Sequence, residues 1–332
     1  MTENKYGMIV IGGGITGLSA GLTWAMYHDV KKEPVLIIEK NYKTGGYVTS
    51  YEREGFLFDT CQMIPNISEL LEFFDIDIDL KEYKGYYTRI FLVDTKTKKV
   101  RTIDLPSGFE RFKKDLMKKY PKNAAEIEHL LDYSRALYLE LFKLKLEPTF
   151  IEILKMLATC PKIVKNSRKT FKEYFDQFNI TEPDVIEIFT VFAEFSGLPA
   201  NKVSAPVPIS AMNSLLDGAF RPTGGFIEFP KKFEDKYLSL GGELMLNTKV
   251  TKILVENGEV RGVKLKDGKE LYSDNVITTV DPLVAMKEMV GLDIIRGLDK
   301  KYAAKVESVR MSTSSMNVSI GLDDEIDLGA LG

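Results

Sequence analysis

Met8-Ile9-Val10-Ile11-Gly12-Gly13-Gly14-Ile15-Thr16-Gly17, then Leu18 to Met26, then Val35-Leu36-Ile37-Ile38-Glu39: this stretch decides the fold. Met8–Ile11 is a short apolar, β-branched run and predicts a buried strand. Gly12 to Gly17 fits G-x-G-x-x-G. Leu18–Met26 is a run of helix formers, and Val35–Ile38 predicts a second strand that ends on an acid, Glu39. Strand, glycine turn, helix, strand and acid, in that order, form the dinucleotide-binding fingerprint in its required context. Each part has a physical task. Gly12 permits the tight turn out of the strand. Gly14 lacks a Cβ, so a pyrophosphate can approach the backbone. Gly17 lets the helix pack close to the sheet. The helix N-terminus, at Ile15 and Thr16, offers free N–H groups and a positive dipole end. Glu39 can accept hydrogen bonds from ribose hydroxyls. By itself the pattern admits NAD, NADP or FAD. Gly17 to Glu39 is a few residues longer than usual, and the surplus falls at His28–Pro34, which suits a loop.

Composition sets outer bounds. With 332 residues the chain has room for two domains and a large core. A net charge of −3 gives no global attraction to nucleic acid, so none is expected as a partner. Two cysteines, Cys61 and Cys160, make no disulfide framework and fit a reducing, cytoplasmic setting. Met1–Lys5 lacks the apolar core of a signal peptide. No run approaches the roughly 18 apolar residues of a membrane span. The two histidines, His28 and His129, are too few for a multi-ligand zinc site, and both lie in polar surroundings unsuited to a Ser-His-Asp triad. No metal is expected.

Beyond Glu39, Lys40 leads to Thr44-Gly45-Gly46-Tyr47-Val48, where the glycine pair permits a second close backbone approach to a ligand. Tyr51–Asp59 predicts a hairpin turning at Glu54-Gly55. Ser68 predicts an N-cap for a helix carrying Leu70, Leu71, Phe73 and Phe74. Residues 88–93 and 99–104 predict a second hairpin about Asp94–Lys98. From Ser107 to about Phe195 helical periodicity dominates, as in Ala124–Leu144 and Thr149–Leu157, with Pro121, Pro148, Pro161 and Pro183 as breaks. Ser204–Phe220 predicts a loop and a helix. A helical run then ends at Ser239–Gly242. Strands follow at Glu243–Leu246, Val250–Glu256 and Val260–Leu265, with turns at Asn257-Gly258 and Asp267-Gly268. A buried strand precedes Thr279-Val280-Asp281-Pro282.

These pieces together resemble the phytoene desaturase branch of the FAD-dependent amine-oxidase-like superfamily, which includes carotenoid desaturases, carotene isomerases and retinol saturases. The resemblance is carried by Val10–Ala20, the Glu39-Lys40 strand end, Thr44-Gly45-Gly46, Gly55–Thr60, the Pro-x-Gly-Gly turn at Pro222–Gly225, Gly241-Gly242-Glu243, the strand with Val250, and the Asp281-Pro282 strand end. It covers roughly 1–75 and 204–290. The family has Arg where this chain has Tyr47, and a small pair where it has Cys61-Gln62; these departures bear on substrate more than on cofactor. The resemblance implies an α/β fold: a Rossmann-like FAD/NAD(P)-binding domain in three ββα layers, with an α+β substrate domain inserted. The FAD-binding part is expected at 1–85 plus 222–288, and the substrate part at 86–221 plus 289–332, with a strand at Ser312–Gly321. It implies FAD as cofactor. The ADP half would be held by Gly12, Gly14, Ile15, Thr16, Gly17, Glu39 and Lys40. Gly45, Gly46, Tyr47 and Val48, the backbone of Val250 against the adenine, and Thr279 and Asp281 would complete the set.

The family normally runs on past the point where this chain stops, to another Gly-rich flavin segment. The expectation is therefore of a fragment that alone binds FAD weakly or not at all. The implied activity is FAD-dependent oxidation of a lipophilic polyene or isoprenoid. The alternatives are a flavin amine oxidase, a redox-neutral carotenoid isomerase, or, in another class, a non-enzymatic prenyl-binding protein of GDP-dissociation-inhibitor type. No catalytic residue is assigned. Asp59 either lies near the flavin or holds a turn, with Arg53 as a partner. Cys61 is an active-site thiol or packing, and Arg221 meets a phosphate, a substrate head group or a surface acid. Phe150–Leu157, followed by Lys162, Lys165, Arg168, Lys169 and Lys172, is either a core helix beside a solvated basic face or an interfacial helix giving peripheral membrane contact.

Overall fold

The computed structural model describes residues 5–61, 63–145, 148–194, 196–309 and 318–321. In chain order, β1 (Met8–Ile11), α1 (Ile15–Tyr27), β2 (Val35–Ile38), β3 (Ser50–Arg53), β4 (Phe56–Asp59) and α2 (Ser68–Phe73) lead to β5 (Leu80–Glu82). Then come β6 (Tyr86–Val93), β7 (Val100–Pro106), α3 (Phe109–Lys119), α4 (Ala124–Leu141), α5 (Phe150–Thr159) and α6 (Pro161–Asn166). After α7 (Phe171–Phe175), α8 (Pro183–Glu194) and α9 (Pro206–Leu216) the chain returns through β8 (Phe220–Pro222) to α10 (Glu228–Ser239). The last stretch holds β9 (Glu243–Met245), β10 (Val250–Glu256), β11 (Glu259–Leu265), β12 (Glu270–Tyr272) and β13 (Val276–Thr278). It closes with α11 (Pro282–Val284), a π-helical stretch Ala285–Gly291, α12 (Leu292–Leu298) and α13 (Lys300–Ser308).

Two compact units result. One takes the described residues of Met1–Gln62, Ile67–Lys81 and Arg221–Met311; the other takes those of Met63–Asn66, Glu82–Phe220 and Ser312–Gly332. Two of the crossings between them fall within β5 and β8, and Met63–Asn66 is a short excursion between two others.

The first unit is built on a parallel sheet of order β13-β1-β2-β9. Its strands read as continuous apolar runs because both faces are covered: every residue of β1 and β2 is buried. On one face Ile9, Ile11, Leu36 and Ile38 pack on Val250, Ile253, Val263, Leu265 and Leu271 of the antiparallel β10-β11-β12 sheet. On the other face α1 and α10 pack together. A Cβ at Gly21 would lie 2.7 Å from Ile37 Cδ1 and 3.1 Å from the Tyr237 ring, so α1 approaches closely here. The buried Tyr237 Oη lies 2.8 Å from the carbonyl oxygens of both Val35 and Glu243, joining α10 to the starts of β2 and β9. This is the three-layer ββα arrangement. The β3-β4 hairpin turns at Glu54 and Gly55, and the β10-β11 hairpin at Asn257 and Gly258; all four residues have positive φ, as two-residue turns of the primed type demand. The long loop after α1 is compact: His28 stacks on Trp24 at 3.7 Å, and Trp24 Nε1 donates to Glu33 O.

Three expectations need correction. Residues 289–309 go with the first unit, not the second. Met289 explains this, because it is buried against the β10–β12 side of the parallel sheet. Ser68 is the first residue of α2 rather than its cap; Ile67 occupies the capping position and no side chain caps it. Of the strand expected at Ser312–Gly321, residues 312–317 lie outside the described residues, and 318–321 are not in a strand.

The second unit is mainly helical around a core that includes Phe112, Leu130, Leu131, Leu137, Phe171, Tyr174, Ile188, Phe189, Phe192, Ile209 and Leu216. The β6-β7 hairpin pairs Ile90 with Ile103, and Asp94 accepts from the N–H groups of Lys96 and Thr97 in its turn. Helices α5 and α7 each begin with a capping box, Thr149/Glu152 and Thr170/Glu173. Buried Glu140 accepts from the N–H groups of Lys162 and Ile163, and so closes the N-terminus of α6 from α4. Among the described residues no helix is long and apolar enough to cross a membrane.

Candidate dinucleotide site

In the parallel sheet the chain runs from β1 to β2 on one side, while β13 lies on the other. Strand order therefore reverses at β1, and the crevice beyond its carboxyl end is where α/β sheets of this kind bind ligands. The glycine turn lies at that point. Gly12 has φ +104°, a conformation that side-chain-bearing residues rarely adopt. A Cβ on Gly17 would lie 1.9 Å from Gly12 O, so α1 sits against the turn. Gly14 is the N-cap of α1, with no side chain capping it and no acid in the first turn. The first bond of the helix runs from Leu18 N–H to Gly14 O, so the N–H groups of Ile15, Thr16 and Gly17 precede it.

Glu39 is buried at the end of β2. Its Oε2 accepts from Gly13 N–H at 2.7 Å and its Oε1 from Asn41 N–H at 2.8 Å. A carboxylate has about four lone-pair positions, so two remain for ribose hydroxyls. The second glycine loop is tied to the first. Gly45 N–H donates to Gly13 O at 2.9 Å, and Gly14 and Gly45 form a parallel bridge. Gly45 and Gly46 both have positive φ. A Cβ on Gly14 would find only Gly46 Cα at 3.9 Å and Gly45 O at 4.0 Å, so the space above it is open. Helix N–H groups, open room over Gly14 and lone pairs on Glu39 together fit the pyrophosphate and ribose of a dinucleotide.

The segment leading to Val250 is laid along the strand end: Asn247 N–H donates to Asn41 O and Thr248 N–H to Glu39 O, each at 2.9 Å. Val250 opens β10, with its side chain buried. A polar cleft of about 770 Å³ lies beside this segment, lined by Lys40, Asn41, Asn247, Thr248, Lys249, Leu265, Lys266 and Asp267. It shares Lys40 with the predicted set and none of the glycines, so it is not the pyrophosphate cradle. Tyr47 is 95% exposed. Val48 N–H turns back to Gly45 O.

The polar side chains of Thr279 and Asp281 are engaged within the protein. Thr279 Oγ1 lies 3.1 Å from Ile11 O and 3.3 Å from Gly12 O, and Asp281 accepts from the N–H groups of Leu283 and Val284 as the cap of α11. Two residues that sequence reasoning passed over hold the site. Gly13 donates to Glu39, and a Cβ there would meet Glu39 Cβ at 3.0 Å and Thr44 Cγ2 at 3.2 Å. Buried Thr44 donates to Glu234 Oε2 at 2.6 Å, anchoring the second glycine loop to α10. The third glycine in Gly12-Gly13-Gly14 was the available signal for the first.

Asp59 is a structural hub. Its Oδ1 accepts from Ser50 Oγ at 2.5 Å and from Phe226 N–H at 3.0 Å; its Oδ2 accepts from Arg221 Nη2 at 2.7 Å and Nε at 3.1 Å. Burial alone would raise its pKa. The hydrogen bonds from Ser50, Phe226 and Arg221 outweigh burial and hold the carboxyl below the usual range. Arg221, not Arg53, is its partner; Arg53 lies 3.7 Å from Glu54. Cys61 and Cys160 form no disulfide. Among the described residues no cluster of His, Cys, Asp or Glu has the makings of a metal site.

A family model described as flavin containing amine oxidoreductase matches residues 15–324. A 4,4'-diapolycopene oxygenase from Methylomonas sp is 27% identical over 307 residues, spanning 87% of this chain and 58% of its own length. A lycopene-forming phytoene desaturase from Pantoea ananas is 25% identical over 326 residues, spanning 96% of this chain and 64% of its own. The crystal structure of an oxidoreductase from Methanosarcina mazei has the same fold, with a TM-score of 0.67 at 18% identity over 92% of this chain and 65% of that one. The chain thus spans about three fifths of the length of these proteins, between 58% and 65%.

Proposed function

The chain belongs to the flavin-containing amine oxidoreductase family, whose cofactor is FAD, and from that premise we propose that it holds FAD at the Gly12–Glu39 cradle and oxidises a lipophilic isoprenoid polyene. One observation carries the cofactor reading: the open N-terminus of α1 and the buried carboxylate of Glu39 meet where strand order reverses. In this reading Ile15, Thr16 and Gly17 turn their N–H groups to the pyrophosphate, and Gly12, Gly14, Gly45 and Gly46 leave it room. Glu39 takes the ribose hydroxyls. The backbone at Val250, with Lys40 near it, borders the adenine, and Tyr47 and Val48 lie toward the rest of the cofactor. Thr279 and Asp281 support the cradle by bracing the strand end and the helix that follows it.

Bound flavin supplies two-electron oxidation, and the protein supplies position and exclusion of water. Oxidation of a polyene asks little of acidic or basic side chains, which accords with a site whose nearby carboxylates are already engaged in holding backbone. The substrate class is supported by the two relatives, both named for carotenoid reactions.

Titration of the full chain with FAD, read by flavin fluorescence and by competition with ADP, tests the cofactor. ADP is expected to bind, and any FAD that binds to do so weakly and to be displaced by ADP, with NADP a poor competitor. FAD binding that ADP cannot displace, or no binding of either, would overturn the assignment. The substrate reading is tested separately, by incubating flavin-loaded protein with a colourless acyclic polyene. Lengthened conjugation should appear as a red-shifted absorption; an unchanged spectrum beside intact flavin binding would remove the polyene and leave the cofactor.

A further inference from the structure

The antiparallel β10-β11 ladder continues outward onto two like charges. Val250 pairs with Leu265, and one step further out Lys266 N–H donates to Lys249 O at 2.9 Å. Lys249 and Lys266 therefore stand opposite each other. Like charges in that position destabilise a ladder. A second lysine pair in the same ladder shows how the fold answers this. Lys252 stands opposite Lys264, and Glu270 of β12 holds Lys264 Nζ at 3.1 Å. Lys249 and Lys266 are exposed and have no carboxylate within ion-pair distance among the described residues.

Both lysines line the polar cleft of about 770 Å³ at the end of β2. Lys40 is the third cation in its wall and is likewise without a carboxylate partner among the described residues. The bond from Asn247 N–H to Asn41 O closes this side of the cleft and brings both asparagines into the lining. Their side-chain amides make no hydrogen bond among the described residues. One carboxylate is present, that of Asp267, and its Oδ1 accepts from Lys269 N–H at 3.0 Å within its own turn. Three ammonium groups and two free amides face one engaged carboxylate, so the cleft is rich in donors and short of acceptors.

We propose that this cleft is an anion site, separate from the pyrophosphate cradle, that takes a phosphate or a phosphate ester. Lysine meets phosphate as a point charge, and a concave wall of one sign concentrates counter-ions. Phosphate brings what the lining lacks: acceptor oxygens on several sides, and a charge of about −2 to offset the opposed lysines. The cleft contains none of the glycines of the dinucleotide site, so phosphate and ADP should be held at the same time.

Calorimetric titration of the full chain with sodium phosphate, at an ionic strength fixed with chloride, tests the site. A parallel titration with glycerol 3-phosphate distinguishes an ester from the free ion as its occupant. Binding of at least one of them is expected with a Kd of about 1 mM or tighter. Lys249→Gln with Lys266→Gln should weaken it about tenfold or more, with ADP affinity and far-UV circular dichroism unchanged. Removing the same charge from α13, by Lys300→Gln with Lys301→Gln, should change it less than about twofold. Without phosphate, the Lys249 and Lys266 variant should be at least as stable to urea as wild type, because the like-charge pair is gone. Binding of neither phosphate nor ester, equal weakening by both lysine pairs, or a loss of stability in the Lys249 and Lys266 variant would overturn the proposal. So would complete displacement of phosphate by ADP, which would give the cleft to the dinucleotide. ADP binding that persists where phosphate fails to bind would remove this site and leave the cofactor reading standing.

Discussion

Two alanine substitutions three residues apart should separate folding from binding. A Cβ on Gly17 would lie 1.9 Å from Gly12 O, against backbone that cannot swing aside. Real contacts begin near 3.0 Å, so α1 and the turn must part by about 1 Å. Overpacking of this kind costs about 1–3 kcal/mol, and a rigid backbone neighbour puts Gly17→Ala at the upper end. At Gly14 the same methyl group finds nothing closer than 3.9 Å, and the backbone there, φ −69°, suits alanine. Alanine is a poorer N-cap than glycine by up to ~1 kcal/mol. It also narrows the unfolded ensemble by a gain of about 0.4–1 kcal/mol. Gly14→Ala should therefore leave stability within about 1 kcal/mol of wild type. Its methyl group occupies the space assigned to the pyrophosphate, so ADP affinity should fall at least about tenfold, roughly 1.4 kcal/mol. Urea denaturation and calorimetric titration with ADP measure the two effects. Gly14→Ala binding ADP as tightly as wild type would refute the placement of the pyrophosphate; Gly17→Ala as stable as wild type would refute the close packing of α1.

Asp59→Asn should flatten the acid limb of stability. The folded carboxyl titrates below its unfolded value, so its contribution is present above about pH 4 and is lost as pH falls through the lower, folded pKa. Urea midpoints at pH 7 and pH 3 should differ less in the variant than in wild type; an equal difference would show that Asp59 is not the group responsible. Asp59→Ala, which leaves Ser50, Phe226 N–H and Arg221 without their acceptor, should cost about 2–3 kcal/mol at pH 7 in the same assay. Tyr237→Phe removes the hydroxyl between Val35 O and Glu243 O and should destabilise by about 1–2 kcal/mol, with ADP affinity kept. Thr279→Val should cost about 1 kcal/mol and weaken ADP binding, because the bond that steadies the glycine turn is gone.

What could be read from the sequence was read where its parts are consecutive. Strand, turn, helix and strand from Met8 to Ile38 announce themselves by periodicity, and Glu54-Gly55 and Asn257-Gly258 by the need for positive φ. What could not be read depends on partners far along the chain. Nothing near Asp59 names Arg221 or Phe226, which lie 162 and 167 residues later. The apolar periodicity of α5 permits a core helix or an interfacial one, and only its exposure shows which face turns outward. Residues 289–309 carry no local mark of the unit they join; that is settled by Met289 meeting the β10–β12 side of the sheet.

Thr279 shows how the two kinds of information meet. The pattern around it places it among the candidates for cofactor contact, yet its hydroxyl lies beside Ile11 O and Gly12 O, 268 and 267 residues earlier. A Cβ on Gly12 would meet that hydroxyl at 2.5 Å. Position 12 is therefore closed to a side chain twice, once by its own backbone at φ +104° and once by a strand from the far end of the described fold. The G-x-G-x-x-G pattern records the first constraint locally. The second exists only where β13 has paired with β1, so the space around the glycine turn is set by the sheet as well as by the turn's own residues.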